Sequence, residues 1–191
     1  MPKVGEIKEI RVEEYDENWT IQFQQESNKI SKIINKGIVS IHHFGSTSIP
    51  GLAAKNEIDL LLVIKNIKDS LVLQNFGYVF KGELNIPLRY FFSNNTAKHK
   101  INVHACQPCH SFIDLNLAFK KHLISNPKDK TAYQKLKISI AESPDSCFKT
   151  RGWSNYGLKK NNFIKKILRK TNYNLPCINF CIHEEEWLSV N

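Results

Sequence analysis

Apolar side chains recur every second residue in the first half of the chain and every third or fourth in the second half. Ile7 to Val12 alternates branched and charged residues and predicts a first strand. Asp16 then supplies an N-cap carboxylate ahead of Trp19, Phe23, Ile30, Ile33 and Ile34, whose spacing keeps one helical face apolar. Ile38 to Phe44 predicts a strand that opens into the turn Gly45-Ser46-Thr47, and Glu57 to Ile64 predicts another. Between them Ser48-Ile49-Pro50-Gly51 puts Pro and Gly where neither a helix nor a central strand tolerates them, so a constrained loop is expected. Asp69 to Phe76 predicts a short helix, and Tyr78 to Lys81, Leu88 to Phe92 and Lys100 to His104 predict strands. Helical spacing then takes over in Phe112, Leu115, Phe119, His122 and Leu123, in Tyr133, Leu136, Lys137 and Ile140, and in Phe163, Ile164, Ile167 and Leu168. The expectation is an α+β domain over residues 1–171 with a helical half from about residue 111, followed by a tail, 172–191, without clear periodicity.

A chain of 191 residues with 41% apolar and 24% charged residues carries enough core for a globular fold. It has no run of 18 apolar residues and no apolar secretion core at its start, so the expectation is a cytoplasmic protein without a membrane span. The net charge of +9 is concentrated in Lys149, Arg151, Lys159, Lys160, Lys165, Lys166, Arg169 and Lys170, a stretch that contains no acidic residue. Such a run is either a solvated helix face or a device that draws in an anion such as a nucleotide or another phosphorylated small molecule. It lacks the interleaved aromatics of a nucleic-acid motif, so nucleic acid is not favoured as a partner. Five cysteines, an odd number, argue against a disulfide framework. Cys106 and Cys109, with His104 and His110 beside them, and Cys177 and Cys181, followed by His183, have the internal spacing of zinc ligands, but nothing in the sequence joins the two pairs.

The chemistry concentrates between His42 and Asp59. Gly45 lets a phosphate approach the backbone, and Ser46 and Thr47 add N–H and hydroxyl donors at the turn. Asp59, on the next strand, is a hard-oxygen ligand for Mg2+ opposite that turn. Lys55 lies between the two as a candidate phosphate clamp.

A strand ending in Gly-Ser and followed by a strand-borne carboxylate resembles the nucleotidyltransferase superfamily. The string HFGSTSIPGLAAKNEIDLLLVI (His43 to Ile64) resembles the GrpB-like family of that superfamily. VEEYDENW (Val12 to Trp19), His104, YQKLK (Tyr133 to Lys137) and YGLKKNNFI (Tyr156 to Ile164) extend the similarity to about residue 170. The resemblance implies a nucleotidyltransferase-like mixed β-sheet with flanking helices and a C-terminal helical segment. It also implies Mg-dependent transfer of a nucleoside monophosphate from an NTP to an acceptor. It makes His104 a candidate catalytic base or metal ligand, with Tyr133, Lys137 and Lys159 closing the pocket over the nucleotide and Arg89 as a further nucleotide-binding candidate. The chain departs from the family pattern at Leu61, where relatives carry the second carboxylate of a D-x-D pair. Glu57 shares a strand face with Asp59 and is the candidate replacement metal ligand. Lys120-Lys121-His122 stands where relatives show Arg-Asp-Tyr. Three functions are therefore expected to compete: a transferase, a nucleotide- or anion-binding protein without transferase activity, and a zinc-stabilised interaction module.

Overall fold

The computed structural model describes residues 10–95, 99–150 and 153–171. Its order is α1 (Asn18–Ile34), β1 (Ile38–Phe44), a 3-10 turn (Ser46–Ser48), β2 (Glu57–Ile64), a 3-10 segment (Ile67–Phe76), β3 (Val79–Phe80), β4 (Arg89–Asn95) and β5 (Lys100–Cys106). There follow α2 (Ser111–Ser125), α3 (Pro127–Glu142), the short strands β6 (Lys149–Thr150) and β7 (Trp153–Ser154), α4 (Asn155–Leu158) and α5 (Asn161–Lys170). Five strands form one mixed sheet in the order β1-β2-β5-β4-β3, with β2 and β5 parallel and the other neighbours antiparallel. This is the expected α+β architecture, a mixed sheet with flanking helices and a helical C-terminal half.

Strand β2 explains the site's position. It pairs on both sides and is covered on both faces, so Ile58 and Leu60 to Ile64 are all buried, the near-continuous apolar run of an interior strand. Leu60, Leu62 and Ile64 pack with Trp19, Ile30 and Ile34 of α1. Leu61 and Val63 point the opposite way, onto Phe44, Cys106 and Ile113 under α2. Asp59 shares the face of Leu61, one pleat nearer the strand's start, where the helices open into a cleft. Loop and helices build a third cluster, in which Ile49, Leu52, Leu123 and Tyr133 are buried and Phe119 and Phe163 pack against them.

Local chemistry moved several boundaries. Residues 7–9 of the expected first strand lie outside the described residues; residues 10–12 form no strand, and Glu13 bridges Ala54 through two backbone hydrogen bonds of 2.8 Å. Asp16 acts one residue before the cap proper: Glu17 is the capping residue, and the Asp16 carboxylate accepts from the Asn18 N–H at 2.9 Å. The expected helix from Asp69 is 3-10 in character, starts at Ile67 behind Asn66, whose side chain accepts from the Lys68 N–H, and stops at Gly77. Tyr78–Lys81 shrinks to the two-residue β3, whereas β4 and β5 run three and two residues further than their apolar patterns. The tail 172–191, with Cys177 and Cys181, lies outside the described residues.

No helix among the described residues is long and apolar enough to cross a membrane. Cys106 is buried between sheet and α2, and burial pushes its thiol up to about 12. Among the described residues no three His, Cys, Asp or Glu side chains gather as a metal cluster.

Candidate functional site

Strand β1 ends at Phe44 opposite Asp59, and the chain turns at Gly45 with φ 70° and ψ −174°, a combination essentially reserved for glycine. The turn lays the Gly45 backbone against the Asp59 carboxylate so closely that an added Cβ would overlap it. Gly45, Ser46 and Asp59 then face Asn116, Phe119 and Lys120 of α2, Tyr133 of α3 and Lys160 and Ile164 of the α5 region across a cleft of about 170 Å³.

The acidic side of the cleft is tightly organised. Asn102 of β5, paired with Asp59 in register, donates from Nδ2 to Asp59 Oδ1 at 2.9 Å and to Glu57 Oε2 at 3.3 Å, so the two carboxylates converge on one amide. The Asn102 Oδ1 is buried with no hydrogen-bond partner. Burial, then the Glu57 charge, pushes the Asp59 carboxyl up to about 6. Burial would raise Glu57 as well, but Lys55 at 2.7 Å and Lys100 at 3.6 Å hold it below its ordinary value. Leu61, where a second D-x-D carboxylate would stand, is fully buried among Phe44, Val63 and Cys106 and offers a metal nothing.

His104 lies behind Asp59, its Nε2 4.0 Å from Oδ1, and is not part of the cleft wall. The Arg89 guanidinium donates to its Nδ1 at 2.7 Å, so the neutral ring carries its proton on Nε2, facing Asp59. Burial, reinforced by Arg89 and Lys100, holds His104 well below its ordinary pKa. Phe112 stacks on the ring, and Phe44 meets it edge-on.

The opposite wall is cationic. Burial, then Lys55, pushes Lys160 down to about 8, and its ammonium sits 4.3 Å from the Tyr156 ring centre. Burial also lowers Lys120, whose Nζ donates to the His43 carbonyl at 2.7 Å. Fully buried Lys137 donates to the Ala53 carbonyl, and burial, then Lys160, pushes it down to about 7. None of these three lysines has a carboxylate within salt-bridge distance among the described residues.

Of the residues expected at the site, Gly45, Ser46, Asp59 and Tyr133 line the cleft. Glu57 and Lys55 stand beside it as an ion pair. Lys137 supports it from behind, under Ala53. Three do not come together there. The Thr47 hydroxyl is spent on the Glu57 carbonyl at 3.0 Å and on His43 Nε2 at 3.1 Å, which ties the turn to β2. Arg89 is buried under the loop before β4, where it donates to the Glu83 and Leu84 carbonyls and to His104. Lys159 turns away to Asp145 at 2.7 Å. The basic stretch is thus divided: Lys159 and Lys170 pair with acids from elsewhere, Asp145 and Asp129, while Lys160, alone among the described residues of the run, lines the cleft.

Sequence reasoning missed Lys120, Lys160, Asn102 and Asn116. The exchange at Lys120-Lys121-His122 marked the first; Lys160 was one cation among the eight of its run. If Lys160 binds an anion in the cleft, Lys160→Ala should weaken that binding about tenfold, the value of one charge-assisted contact, while Lys159→Ala leaves it unchanged. Because the Lys160 ammonium is lost as pH rises through about 8, wild-type affinity should fall above that pH and Lys160→Arg should keep it. Equal losses in both alanine variants would remove Lys160 from the site.

Comparison with known proteins places this geometry in a family. The UPF0157 protein YqkA of Bacillus subtilis is 34% identical over 138 residues, covering 69% of this chain and 40% of that protein, so the chain spans well under two thirds of this relative's length. A UPF0157 protein of Halalkalibacterium halodurans is 30% identical over 180 residues, 88% of each chain. The crystal structure of the conserved protein GrpB from Enterococcus faecalis superposes with a TM-score of 0.71 at 31% identity, covering 84% of this chain and 96% of that one. The model of the family described as GrpB protein matches residues 9–170, from just before the Glu13 bridge to the end of α5, and the chain belongs to that family.

Proposed function

We propose that the cleft binds a nucleoside triphosphate as its magnesium complex and that the protein transfers the nucleoside monophosphate to an acceptor. The observation that carries this reading is the opposition, across the cleft, of Asp59, held with Glu57 on one Asn102 amide, to the half-buried Lys120 and Lys160, which have no carboxylate within salt-bridge distance among the described residues, beside a glycine turn with no room for a side chain. Unpaired buried cations are costly, and an anionic ligand with several charges relieves that cost.

The donor set fits one hard cation. Asp59 and Glu57, oriented by the Asn102 amide, are the carboxylates that would hold it, and carboxylate oxygen is the ligand type magnesium prefers. What a bound magnesium ion supplies is neutralisation and orientation of phosphate oxygens. With Leu61 in the core, a second carboxylate-held metal has no ligand, so lysines take over charge neutralisation. Gly45 and Ser46 admit a phosphate to the backbone, and Tyr133 lines the cleft beside them. Lys120 and Lys160 stabilise charge that grows on the departing pyrophosphate. His104 positions Asp59 and does not act as a base: its Nδ1 is tied to Arg89 and its Nε2 already bears the proton.

Incubation with Mg2+ and each NTP labelled at the α-phosphate, with a pool of small-molecule acceptors, should release pyrophosphate and move label onto an acceptor. The absence of pyrophosphate from a protein that still binds NTP would favour the second reading, a nucleotide-binding protein without transferase activity, which the missing D-x-D carboxylate supports.

A further inference from the structure

A second, larger recess of about 560 Å³ lies on the other side of the Gly45 turn, between α1 and α2 along the open edge of β1. Among the described residues its wall contains no acidic side chain. It presents Lys120 and Lys121, the hydroxyls of Thr20 and Ser125 and the rings of His42 and His43, while the Ser48 hydroxyl donates to the Gly45 carbonyl at 2.8 Å. Lys120 lines both cavities, and the segment from His43 to Ser48 walls them both, contributing Gly45 and Ser46 to the cleft and His43 and Ser48 to the recess. The Lys120 ammonium, common to both cavities, is held by the His43 carbonyl at 2.7 Å.

Resting on the donor reading above, we propose that the recess holds the acceptor, that the acceptor is a phosphate monoester, and that its phosphate oxygen is the nucleophile. Lysines and hydroxyls without an acid match a phosphate. His104 is capped by Arg89, Asp59 is committed to Asn102 and the cation, Lys137 is spent on the Ala53 carbonyl, and the His42 and His43 rings of the recess spend Nε2 on Ser40 and Thr47, so none of these is placed as the acceptor's base. A hydroxyl acceptor needs its proton removed; a phosphate monoester, already ionised at neutral pH, does not. The transfer balances without a proton: an acceptor oxygen bonds to the α-phosphorus, the bond from that phosphorus to the β-phosphate's bridging oxygen breaks, and pyrophosphate leaves with the electron pair. The product is a phosphoanhydride.

Inorganic phosphate serves as the probe. With ATP, Mg2+ and 32P-labelled phosphate, the wild-type chain should form β-labelled ADP and pyrophosphate, whereas ATP hydrolysis would leave ADP unlabelled. Lys121→Ala, at the rim of the recess and outside the cleft, should lower labelled ADP about tenfold at unchanged Mg-ATP affinity. Lys120→Met should weaken both phosphate and Mg-ATP binding. Amide NMR of the Mg-ATP-saturated protein should show phosphate moving the Thr20, Lys121 and Ser125 signals. Pyrophosphate release without labelled ADP, or equal labelling in Lys121→Ala, would overturn the acceptor site and leave the donor reading standing. Failure to bind Mg-ATP would sink the donor reading and, with it, the acceptor role, even if phosphate still moved those signals.

Discussion

Gly45→Ala should destabilise the protein by about 3 kcal/mol or more, the sum of a backbone conformation open almost only to glycine and an overlap with the Asp59 carboxylate. For a chain of this size that is a fall in Tm of roughly 6–12 °C. Gly51→Ala is the control: Gly51 also has φ 70°, but its added Cβ would meet only the flexible end of Lys130, at 3.6 Å. It should cost about 1–2 kcal/mol. The difference between the variants isolates the clash, and the same shift in both would mean that Gly45 does not lie against Asp59. Asp59 is at the start of β2 with its backbone fixed on both sides by Phe44 and Asn102, so it cannot retreat without breaking the register.

Asp59→Asn should do the opposite to stability while abolishing metal-dependent binding. The folded protein holds this carboxyl at about 6 against 3.8 for an isolated one, so between those values the folded state binds more protons than the unfolded. Stability therefore declines as pH rises through the window from 3.8 to about 6, and above it the folded state bears the full cost of the buried charge. The shift sets an upper bound of about 3 kcal/mol. The side chain retains 25% exposure, which reduces the expected gain on neutralisation to about 1–2 kcal/mol. The asparagine keeps an oxygen for Asn102, fills the same space and should raise Tm by roughly 2–6 °C at pH 7, with no gain at pH 4. A variant less stable than wild type at pH 7 would show that the carboxylate is stabilised, not strained.

The sequence shows strands β1 and β2 with their full limits because their apolar runs are bounded by Gly37, Gly45 and Asn66, residues that stop a strand locally. It also brings Gly45, Ser46 and Asp59 together, since a strand, a turn and an antiparallel return fix their proximity. What it hides is everything that depends on which way a long side chain turns. Lys159 and Lys160 are neighbours, yet one reaches Asp145 and the other the cleft, a choice made by the docking of α4 and α5. Arg89 reads as a free cation in a strand, but β4 pairs with β5 so that it faces His104, two residues before its partner Cys106. Thr47 looks like a phosphate donor beside Ser46, yet the 3-10 turn rotates it inward onto Glu57 and His43. Asn102 has no motif at all; only the parallel β2–β5 register reveals it as the residue between the two carboxylates.

Calorimetric titration of Mg-ATP into the wild-type chain at pH 7 tests the central claim most directly, because the donor cleft makes binding depend on the metal and on Asp59 together. Saturable one-to-one binding, lost when Mg2+ is chelated and lost in Asp59→Asn although that variant is folded and more heat-stable, is the predicted result. Binding that survives both changes, or no heat with any nucleotide, would contradict the assignment of this cleft as a magnesium-nucleotide site.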